Sequence, residues 1–311
     1  PIELKVFDNF SRGIPDWLES ISKEKSIEIK KHDVTQDLPQ NIGDLDFIIH
    51  AASIASPTFY RLNPIETMDA NVEGLRKLLD YSLKQKNNNK PISGFLFFST
   101  SEIYGDPDSL NIPTPEEYRG NVSCTGPRAC YDESKRYGET LCVNFSKQYD
   151  LPISIARPFN NYGPGLKISD GRVLSDFIKN VLNNEDIELI SDGSPTRTFC
   201  YVADAIIGYL KILTRGKSGE SYNIGNDKPE ISMLDLAKKI AYLSSEILGY
   251  EGEVISGSSL DKEYLIDNPN RRCPVIIKAK DDLGFEPKIS LEEGLKRSIY
   301  WYKDQNTHEN D

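Results

Sequence analysis

The sequence contains few of the residues that build metal centres. Its 311 residues include three histidines, at His32, His50 and His308, and five cysteines without a CxxC pair. Zinc sites need histidine and cysteine ligands at short, regular spacings, so no metal site is predicted. The odd number of cysteines favours reduced thiols over a disulfide framework, and reduced thiols are typical of a cytoplasmic protein.

Positive charge and long apolar runs are also scarce. Lysine and arginine total 37 against 48 acidic residues, which gives a formal net charge of -11. Nucleic-acid binding would need clustered basic side chains, so no nucleic-acid partner is predicted. The chain has no run of about 18 apolar residues, so no membrane-spanning helix is predicted either. Pro1 leads directly into a strand-like run without a signal peptide, and the missing methionine predicts that the natural beginning lies upstream.

The first half of the chain alternates short β-branched or aromatic runs with longer amphipathic runs. The predicted strands are residues 2–7, 26–32, 46–50, 94–99 and 153–157. Helices are predicted near residues 64–86 and 131–149. This alternation is typical of a parallel sheet that is covered on both faces. We therefore expect an α/β protein with a Rossmann-like, doubly wound parallel sheet.

The pattern changes after Arg157, where shorter elements are joined by turns rich in Gly, Pro and Asn. This change indicates a smaller C-terminal substrate-binding lobe, with helices near residues 232–248 and 291–302. The predicted domains are residues 1–165 for the sheet domain, with the segment near 200–215 packing back on it, and residues 166–303 for the lobe. Residues 304–311 are expected to form a disordered tail.

Two acidic residues follow the first two predicted strands. In a doubly wound sheet, an acid after a strand hydrogen-bonds the adenosine ribose of a dinucleotide. Asp8, with Asn9 beside it, has this position, and its charge would favour NAD over NADP. Asp33 would suit the adenine amino group. Each of these acids could also be a polar turn residue without a ligand.

The sequence has no glycine-rich GxxGxxG loop, which would bind the pyrophosphate of such a cofactor through backbone N–H groups. That loop should lie between a strand and a helix that precede Asp8. We expect a missing segment of about one strand and one helix, half of a βαβ unit, rather than a natural loss.

Tyr131 and Lys135 are four residues apart, so a helix places them on one face. The ammonium group, together with the positive charge of NAD, is expected to lower the pKa of Tyr131 and let it act as a general base. Thr100 follows an apolar strand and therefore lies at the carboxyl end of the sheet, where ligands bind. The three residues together predict a site that oxidises a hydroxyl group.

Seven motifs, in order along nearly the whole chain, resemble the extended short-chain dehydrogenase/reductase family, also called the NAD-dependent epimerases/dehydratases. They are IIHAASIASPTFYRLNPIET (48–67), STSEIYGDP (99–107), GPRACYDESKRYGET (126–140), ARPFNNYGPGLKISDGRV (156–173), DGSPTRTFCYVAD (192–204), YNIGN (222–226) and NPNRRCP (268–274). The second and third motifs are most similar to those of the UDP-glucuronate decarboxylases.

The resemblance implies roles for individual residues. Thr100, Tyr131 and Lys135 would form the oxidation triad. Glu102 and Arg272 would handle the carboxylate-bearing carbon, with Arg271 as the alternative to its neighbour. The expected nucleotide-diphosphate contacts are Asn160, Arg172 and Arg197, the expected sugar-pocket residues are Tyr60 and Arg128, and the expected NAD contacts include Ala51 and Ala52. Cys273 stands where this branch usually has lysine.

The activity that the resemblance implies begins with NAD-dependent oxidation of the sugar C4 hydroxyl of UDP-glucuronate. Carbon dioxide would then leave from C6, and re-reduction would give UDP-xylose. A 4-dehydrogenase and a 4-epimerase remain alternatives, whereas a 4,6-dehydratase is disfavoured because Ser101 stands where dehydratases carry Asp. A non-catalytic nucleotide-sugar binder is a further alternative. The resemblance also implies a homodimer.

Overall fold

The computed structural model describes residues 2–24, 26–257, 266 and 268–309. Its strands are β1 (Leu4–Asp8), β2 (Ile27–Lys31), β3 (Phe47–His50), β4 (Gly94–Phe98), β5 (Ile153–Pro158), β6 (Asn161–Tyr162), β7 (Ile187–Leu189), β8 (Thr196–Arg197), β9 (Cys200–Tyr201), β10 (Ser221–Ile224), β11 (Ile231–Ser232), β12 (Val254–Ser256) and β13 (Arg271–Arg272).

The α-helices alternate with these strands in the first half and dominate the last third. They are α1 (Asp16–Ile21), α2 (Pro57–Leu62), α3 (Pro64–Asp69), α4 (Leu75–Asn87), α5 (Ala129–Tyr149), α6 (Val173–Leu182), α7 (Val202–Arg215), α8 (Met233–Leu248), α9 (Ile277–Leu283) and α10 (Leu291–Glu309). A π turn at Ala70–Gly74 joins α3 to α4, and 3-10 turns occur at Ser101–Tyr104 and Ser109–Asn111. None of the helices described here is both long enough and apolar enough to cross a bilayer.

The centre of the molecule is a parallel sheet in the order β10-β5-β4-β3. Phe95, Leu96 and Phe97 of β4 are all 0% exposed, so both faces of this strand are covered. Strands of this kind are typical of parallel sheets that lie between two layers of helices. Helices α4 and α5 cover one face, and α7 and α9 cover the other. The predicted α/β class with a doubly wound parallel sheet is confirmed.

Strands β1 and β2 form a separate parallel pair, with Leu4 opposite Ile27. Among the described residues, β1 pairs with β2 alone and β3 is the last strand of the four-stranded sheet. On the face of β3 opposite α4, Phe47 and Ile49 are 46% and 47% exposed. The described strands of this half therefore form two separate parallel sheets, and the expected missing segment stays a prediction.

The second lobe has its own hydrophobic cluster, in which α6, α8 and α10 pack around β7. Two small sheets, β11-β8-β13 and β12-β7, connect these helices to the cavity described below. Helix α7 lies within the predicted lobe in sequence, but its buried face packs on β4, β5 and β10 of the central sheet. Helix α9 packs on that same layer.

The predicted disordered tail is wrong for residues 304–309, because α10 continues to Glu309 instead of ending near Tyr302. No glycine or proline follows Gly294 in this helix, so nothing in the sequence ends it early. Ion pairs of Glu292 with Lys296 and of Glu293 with Arg297 support its first turns. Asn310 and Asp311 lie outside the described residues.

Candidate active site

A cavity of about 430 Å³ lies between the carboxyl ends of the central strands and the second lobe. The predicted catalytic residues and substrate contacts all line it: Thr100, Glu102, Tyr131, Lys135 and Arg272, with Tyr60, Arg128, Asn160, Arg172 and Arg197. The turn after β4 supplies Glu102, α5 supplies Tyr131, and β13 supplies Arg272. The fold therefore joins residues from both lobes at the edge of the sheet where ligands bind in this class of fold.

Tyr131 and Lys135 lie near each other on α5, but their interaction differs from the expectation. Lys135 Nζ donates to the carbonyl oxygen of Phe98 at 2.7 Å, and burial lowers the pKa of Lys135 to about 7. Burial raises the pKa of Tyr131 to about 12, while its hydrogen bond with Thr100 acts in the opposite direction. In the protein without NAD, burial therefore dominates the pKa of Tyr131, and the expected lowering by Lys135 and NAD together stays a prediction. The lysine ammonium serves a backbone carbonyl, and the phenol is shielded from water.

Tyr60 packs against the ring of Tyr131. The two rings stack with their centroids 5.0 Å apart and 6° between their planes. The hydroxyl of Tyr60 is buried, has no hydrogen-bond partner among the described residues, and has its pKa raised by burial. A buried hydroxyl normally has a partner, so a polar group of a ligand would satisfy it.

Glu102 and two arginines form a buried charge cluster on the lobe side of the cavity. Glu102 Oε2 accepts a hydrogen bond from Nη2 of Arg128 and another, at 2.6 Å, from Nη2 of Arg272. Burial alone would raise the pKa of Glu102, but Arg128, Arg272 and Arg197 hold it well below its usual range. Glu102 is therefore ionised, and the cluster carries more positive than negative charge.

The donors of this cluster are not all used. Within the part of the chain that the structure describes, Nε of Arg128 and Nε of Arg272 are buried without a hydrogen-bond partner. Leaving a buried donor unpaired costs about 1–3 kcal/mol, and more when the group is charged. The arrangement is therefore suited to an anion that enters the cavity and accepts from these arginines.

The neighbouring Arg271 and Arg272 point to different partners. Arg271 pairs with Glu230 near the surface, through contacts of 2.8 and 2.7 Å, whereas Arg272 reaches Glu102. Side chains alternate between the faces of a strand, so only one of the two can face the cavity. The sequence left this choice open, and the structure places Arg272 in the cavity.

The three predicted diphosphate contacts differ in their exposure and in the partners that they already have within the protein. Arg197 donates to backbone oxygens of Thr196 and Pro269 at 2.8 and 2.6 Å, and its burial lowers its pKa to about 9. The amide of Asn160 donates to the carbonyl oxygen of Thr198 at 2.9 Å. Arg172 has a side chain that is 40% exposed, although it pairs with Asp170 at 2.9 Å. Of the two arginines, Arg172 is thus the more accessible cation, and Arg197 and Asn160 hold the backbone around the cavity.

The predicted cofactor residues of the first two strands lie away from the cavity lining. Asp8 accepts the N–H of Phe10 at 2.7 Å, and Asn9 donates to Asp33 at 3.4 Å. Hydrogen bonds from Thr35 lower the pKa of Asp33. Asp8 and Asn9 are exposed, so their polar atoms remain accessible. Of the two predicted alanines, Ala51 lines the cavity and Ala52 is half-buried without lining it.

These residues fit NAD at its two ends. Asp8 lies at the carboxyl end of β1, as a ribose-binding acid would, and Tyr131 and Lys135 lie at the reactive end. The buried hydroxyls of Ser53 and Ser99 line the same cavity as Tyr131 and Lys135, and neither has a hydrogen-bond partner in the described ranges. The printed sequence has no glycine loop for the diphosphate in the middle. When bound, NAD would supply the hydride acceptor for an alcohol held at Tyr131.

Asp132 and His50 are buried ionisable groups that the sequence did not single out as functional. Burial, followed by the charge of Glu102, raises the pKa of Asp132 to about 8, while Arg128 opposes the shift. The i, i+4 spacing from Arg128 to Asp132 was a visible signal for this contact. Burial lowers the pKa of His50 to about 3, so this histidine is neutral at the end of β3. Across the residues described, no three His, Cys, Asp or Glu side chains are arranged to hold a metal ion.

Comparison with known proteins identifies the family. Residues 8–225 match the NAD dependent epimerase/dehydratase family. The chain is 39% identical to UDP-glucuronic acid decarboxylase 5 of Arabidopsis thaliana, over 94% of this chain and 80% of that protein. It is 37% identical to UDP-glucuronic acid decarboxylase 1 of Xenopus tropicalis, over 99% of this chain and 68% of that protein. The chain therefore belongs to the NAD dependent epimerase/dehydratase family.

Solved structures of related enzymes have the same fold. UDP-glucuronic acid 4-epimerase from Bacillus cereus, in complex with UDP-glucuronic acid and NAD, superposes with a TM-score of 0.78 at 25% identity. That match covers 97% of this chain and 91% of the other. UDP-glucose 4-epimerase from Thermotoga maritima, with UDP-glucose, gives 0.81 at 24% identity, over 98% and 92% of the two chains. The Rossmann-like architecture that the sequence predicted is therefore confirmed.

Proposed function

We propose that this protein uses NAD to oxidise C4 of UDP-glucuronate, releases carbon dioxide from C6, and forms UDP-xylose. The observation that carries the proposal is the position of the Glu102 cluster. Arg128 and Arg272, each with a buried Nε that has no hydrogen-bond partner in the described ranges, line one cavity together with the triad of Thr100, Tyr131 and Lys135. A hydroxyl-oxidising group and a carboxylate-binding group are thus available to one substrate.

The substrate class follows from the charges in this cavity. Glu102 is ionised, and the three arginines around it leave a net positive charge. A ligand carboxylate would receive charge-assisted hydrogen bonds from Arg128 and Arg272, which the hydroxymethyl group of UDP-glucose could not match. The relatives named as UDP-glucuronic acid decarboxylases support the same substrate.

The chain's own residues have distinct tasks in this chemistry. Tyr131 would accept the proton of the C4 hydroxyl once the positive charge of bound NAD lowers its pKa, and Thr100 shares a hydrogen bond with it. With the C4 carbonyl formed, the C5–C6 bond breaks and its electron pair passes to the carbonyl oxygen, which both hydroxyls can stabilise. Protonation at C5 and re-reduction at C4 would then give UDP-xylose. Carbon dioxide is uncharged, so the arginines bind the departing group less strongly than the original carboxylate. Their task is to orient the carboxylate and hold it beside the site of oxidation.

The direct test is trapped carbon dioxide. The protein is incubated with NAD and UDP-glucuronate labelled at C6, and we expect labelled carbon dioxide and UDP-xylose. A 4-epimerase acting on the same substrate would keep the label in the sugar, as would a 4-dehydrogenase that oxidises a neutral sugar. Either result would show that the decarboxylase assignment is wrong.

We also propose a cytoplasmic homodimer, for which the chain offers two supporting observations. Ile65 and Met68 of α3 are 62% and 43% exposed, and Tyr137 of the adjacent α5 is 51% exposed. Exposed apolar side chains on adjacent helices are typical of a helical dimer interface. The five cysteines are unpaired, in agreement with a reducing compartment. A monomer at micromolar concentration in light scattering would contradict the dimer, and cell fractionation tests the location.

A further inference from the structure

Asp132 is a buried carboxyl group for which the proposed chemistry has no direct use. It lies one turn after Arg128 on α5, and its side chain is 5% exposed. Its Oδ2 is 3.8 Å from Nε of Arg128, which is too far for a hydrogen bond. Oδ1 has no hydrogen-bond partner in the described ranges, and neither does Nε of Arg128. Asp132 and Arg128, the residue that precedes the first turn of α5, therefore each have one buried polar atom without a hydrogen-bond partner in the described ranges.

A second cavity, of about 410 Å³, lies behind Arg128. Its walls are Gly105, Asp106, Asn121, Val122, Ser123, Arg128, Asp132 and Asn268. Arg128 and Asn268 line both cavities, whereas Asp132 lines the second and not the first. The guanidinium of Arg128 thus belongs to the wall between the cavities, and it contacts Glu102 as well as Asp132.

We propose that Asp132 is a positioning residue that sets how much of the Arg128 charge is available to a carboxylate in the first cavity, and thereby the preference for an acidic sugar. The inference rests on the proposed function, because it needs the substrate carboxylate at Arg128 and Arg272. When Asp132 is neutral, the charge of the Arg128 guanidinium interacts with Glu102 and with the ligand carboxylate. An ionised Asp132 competes for the same guanidinium and repels the ligand carboxylate.

The charged groups around Asp132 determine the pH at which its carboxyl group loses its proton. Glu102 and Glu133 disfavour its ionised form, and Arg128 and Arg272 favour that form. Together with burial, the balance raises its pKa to about 8, so the group is mostly neutral at pH 7. A ligand carboxylate adds another negative charge and raises the pKa further, so binding takes up a proton. Affinity for that carboxylate then falls with rising pH, by at most about tenfold between pH 7 and pH 9.

The test is a ratio of two dissociation constants, measured by titration calorimetry on the full-length protein without a need for turnover. UDP-glucose shares the nucleotide and the sugar ring with UDP-glucuronate, so the ratio isolates the carboxylate. In the wild type, we expect the preference for UDP-glucuronate to fall threefold to tenfold, by order of magnitude, from pH 7 to pH 9. In Asp132→Asn, which keeps the shape and cannot ionise, the preference should stay constant within about twofold.

Two controls separate this effect from others. Asp37→Asn removes a carboxylate that lines neither cavity, where the side chain is 97% exposed, and should keep the wild-type pH dependence. Arg197, whose pKa burial lowers to about 9, is unchanged in Asp132→Asn, so any pH dependence that it causes persists in the variant.

The possible failures are distinguishable. A wild type that does not prefer UDP-glucuronate at pH 7 would overturn the proposed function itself. A preference whose pH dependence is the same in wild type and Asp132→Asn would overturn the role of Asp132 alone. A purely structural role would weaken both ligands together and leave the ratio and its pH dependence unchanged, which also contradicts the inference.

Discussion

The two ends of the candidate active site are built differently. At the sugar end, Glu102, Arg128 and Arg272 are buried and joined by ion pairs. At the ribose end, Asp8 and Asn9 are exposed and bonded to groups nearby in their own loops or on the next strand. Buried charges interact strongly because little water screens them, whereas exposed ones contribute little. If the proposed function is correct, selectivity for the sugar depends on this preformed cluster, and changes there should have the larger effects.

The largest effect should come from Tyr131→Phe, which removes one hydroxyl from the sugar end and keeps the ring that stacks on Tyr60. Because the same hydroxyl takes the proton and stabilises the oxyanion, we expect kcat to fall by about 10³- to 10⁴-fold. Affinity for UDP-glucuronate should change little. Tyr300→Phe on α10, where the side chain is 52% exposed and lies outside the cavity lining, is the control. Turnover within tenfold of wild type would mean that another group is the base.

The next effect separates the carboxylate cluster from the oxidation triad. Glu102→Gln and Arg272→Ala should slow carbon dioxide release by about 100-fold, because each leaves a buried charge without its partner. Arg272→Lys should also be poor, since lysine lacks the planar fork of arginine. Binding of UDP should change far less. Arg271→Ala removes the neighbouring, exposed arginine and should keep near-normal turnover, and equal losses for Arg271 and Arg272 would contradict the assignment.

A smaller effect is expected at the ribose end. In the full-length protein, Asp8→Ala should raise the dissociation constant of NAD by about tenfold, through the loss of a charged hydrogen bond to the ribose. Affinity for UDP-glucuronate should stay within twofold. Asp37→Ala provides the control, because the Asp37 side chain is 97% exposed and pairs with Lys77 outside the cavity lining. An unchanged dissociation constant for NAD in calorimetry would show that Asp8 does not bind the cofactor.

The smallest effect concerns stability. The folded protein keeps a proton on Asp132 up to about pH 8, whereas an unfolded aspartate with a pKa near 3.8 has lost it. The folded state thus binds more protons between these values, and the contribution of Asp132 to stability falls as pH rises through this range. Asp132→Asn should therefore raise Tm more at pH 8 than at pH 5, by about 2 °C or more. Scanning calorimetry tests this, and an equal shift at both pH values would be the contrary result.

Much of this site could be predicted because it depends on local patterns. The helical spacing of Tyr131 and Lys135 and the apolar strand before Thr100 place all three residues at one edge of the sheet. That Arg272 joins these three residues in one site was predicted from the family resemblance and not from the spacing of residues in the sequence. The division into domains at residues 165 and 303 stays a prediction.

The remaining features depend on tertiary contacts that a sequence pattern does not encode. The raised pKa of Tyr131 results from burial, and the partner of Lys135 is a backbone carbonyl rather than the phenol. The choice between Arg271 and Arg272 depends on which face of β13 meets the cavity. The end of α10 was misplaced because its last residues carry no apolar pattern, although they contain no helix-breaking residue.

The π turn at Ala70–Gly74 also affects how the helices face their neighbours. One added residue in a helical turn shifts all following side chains by about 100° around the axis. The turn therefore sets the phase between α3, which packs on α5, and α4, which packs under the sheet. Deleting one residue from 70–74 should leave both segments helical and yet rotate α3, which carries the exposed Ile65 and Met68, by about 100° relative to α4. The register of this single turn, rather than the apolar content of either helix, would then decide whether two copies of the chain can associate.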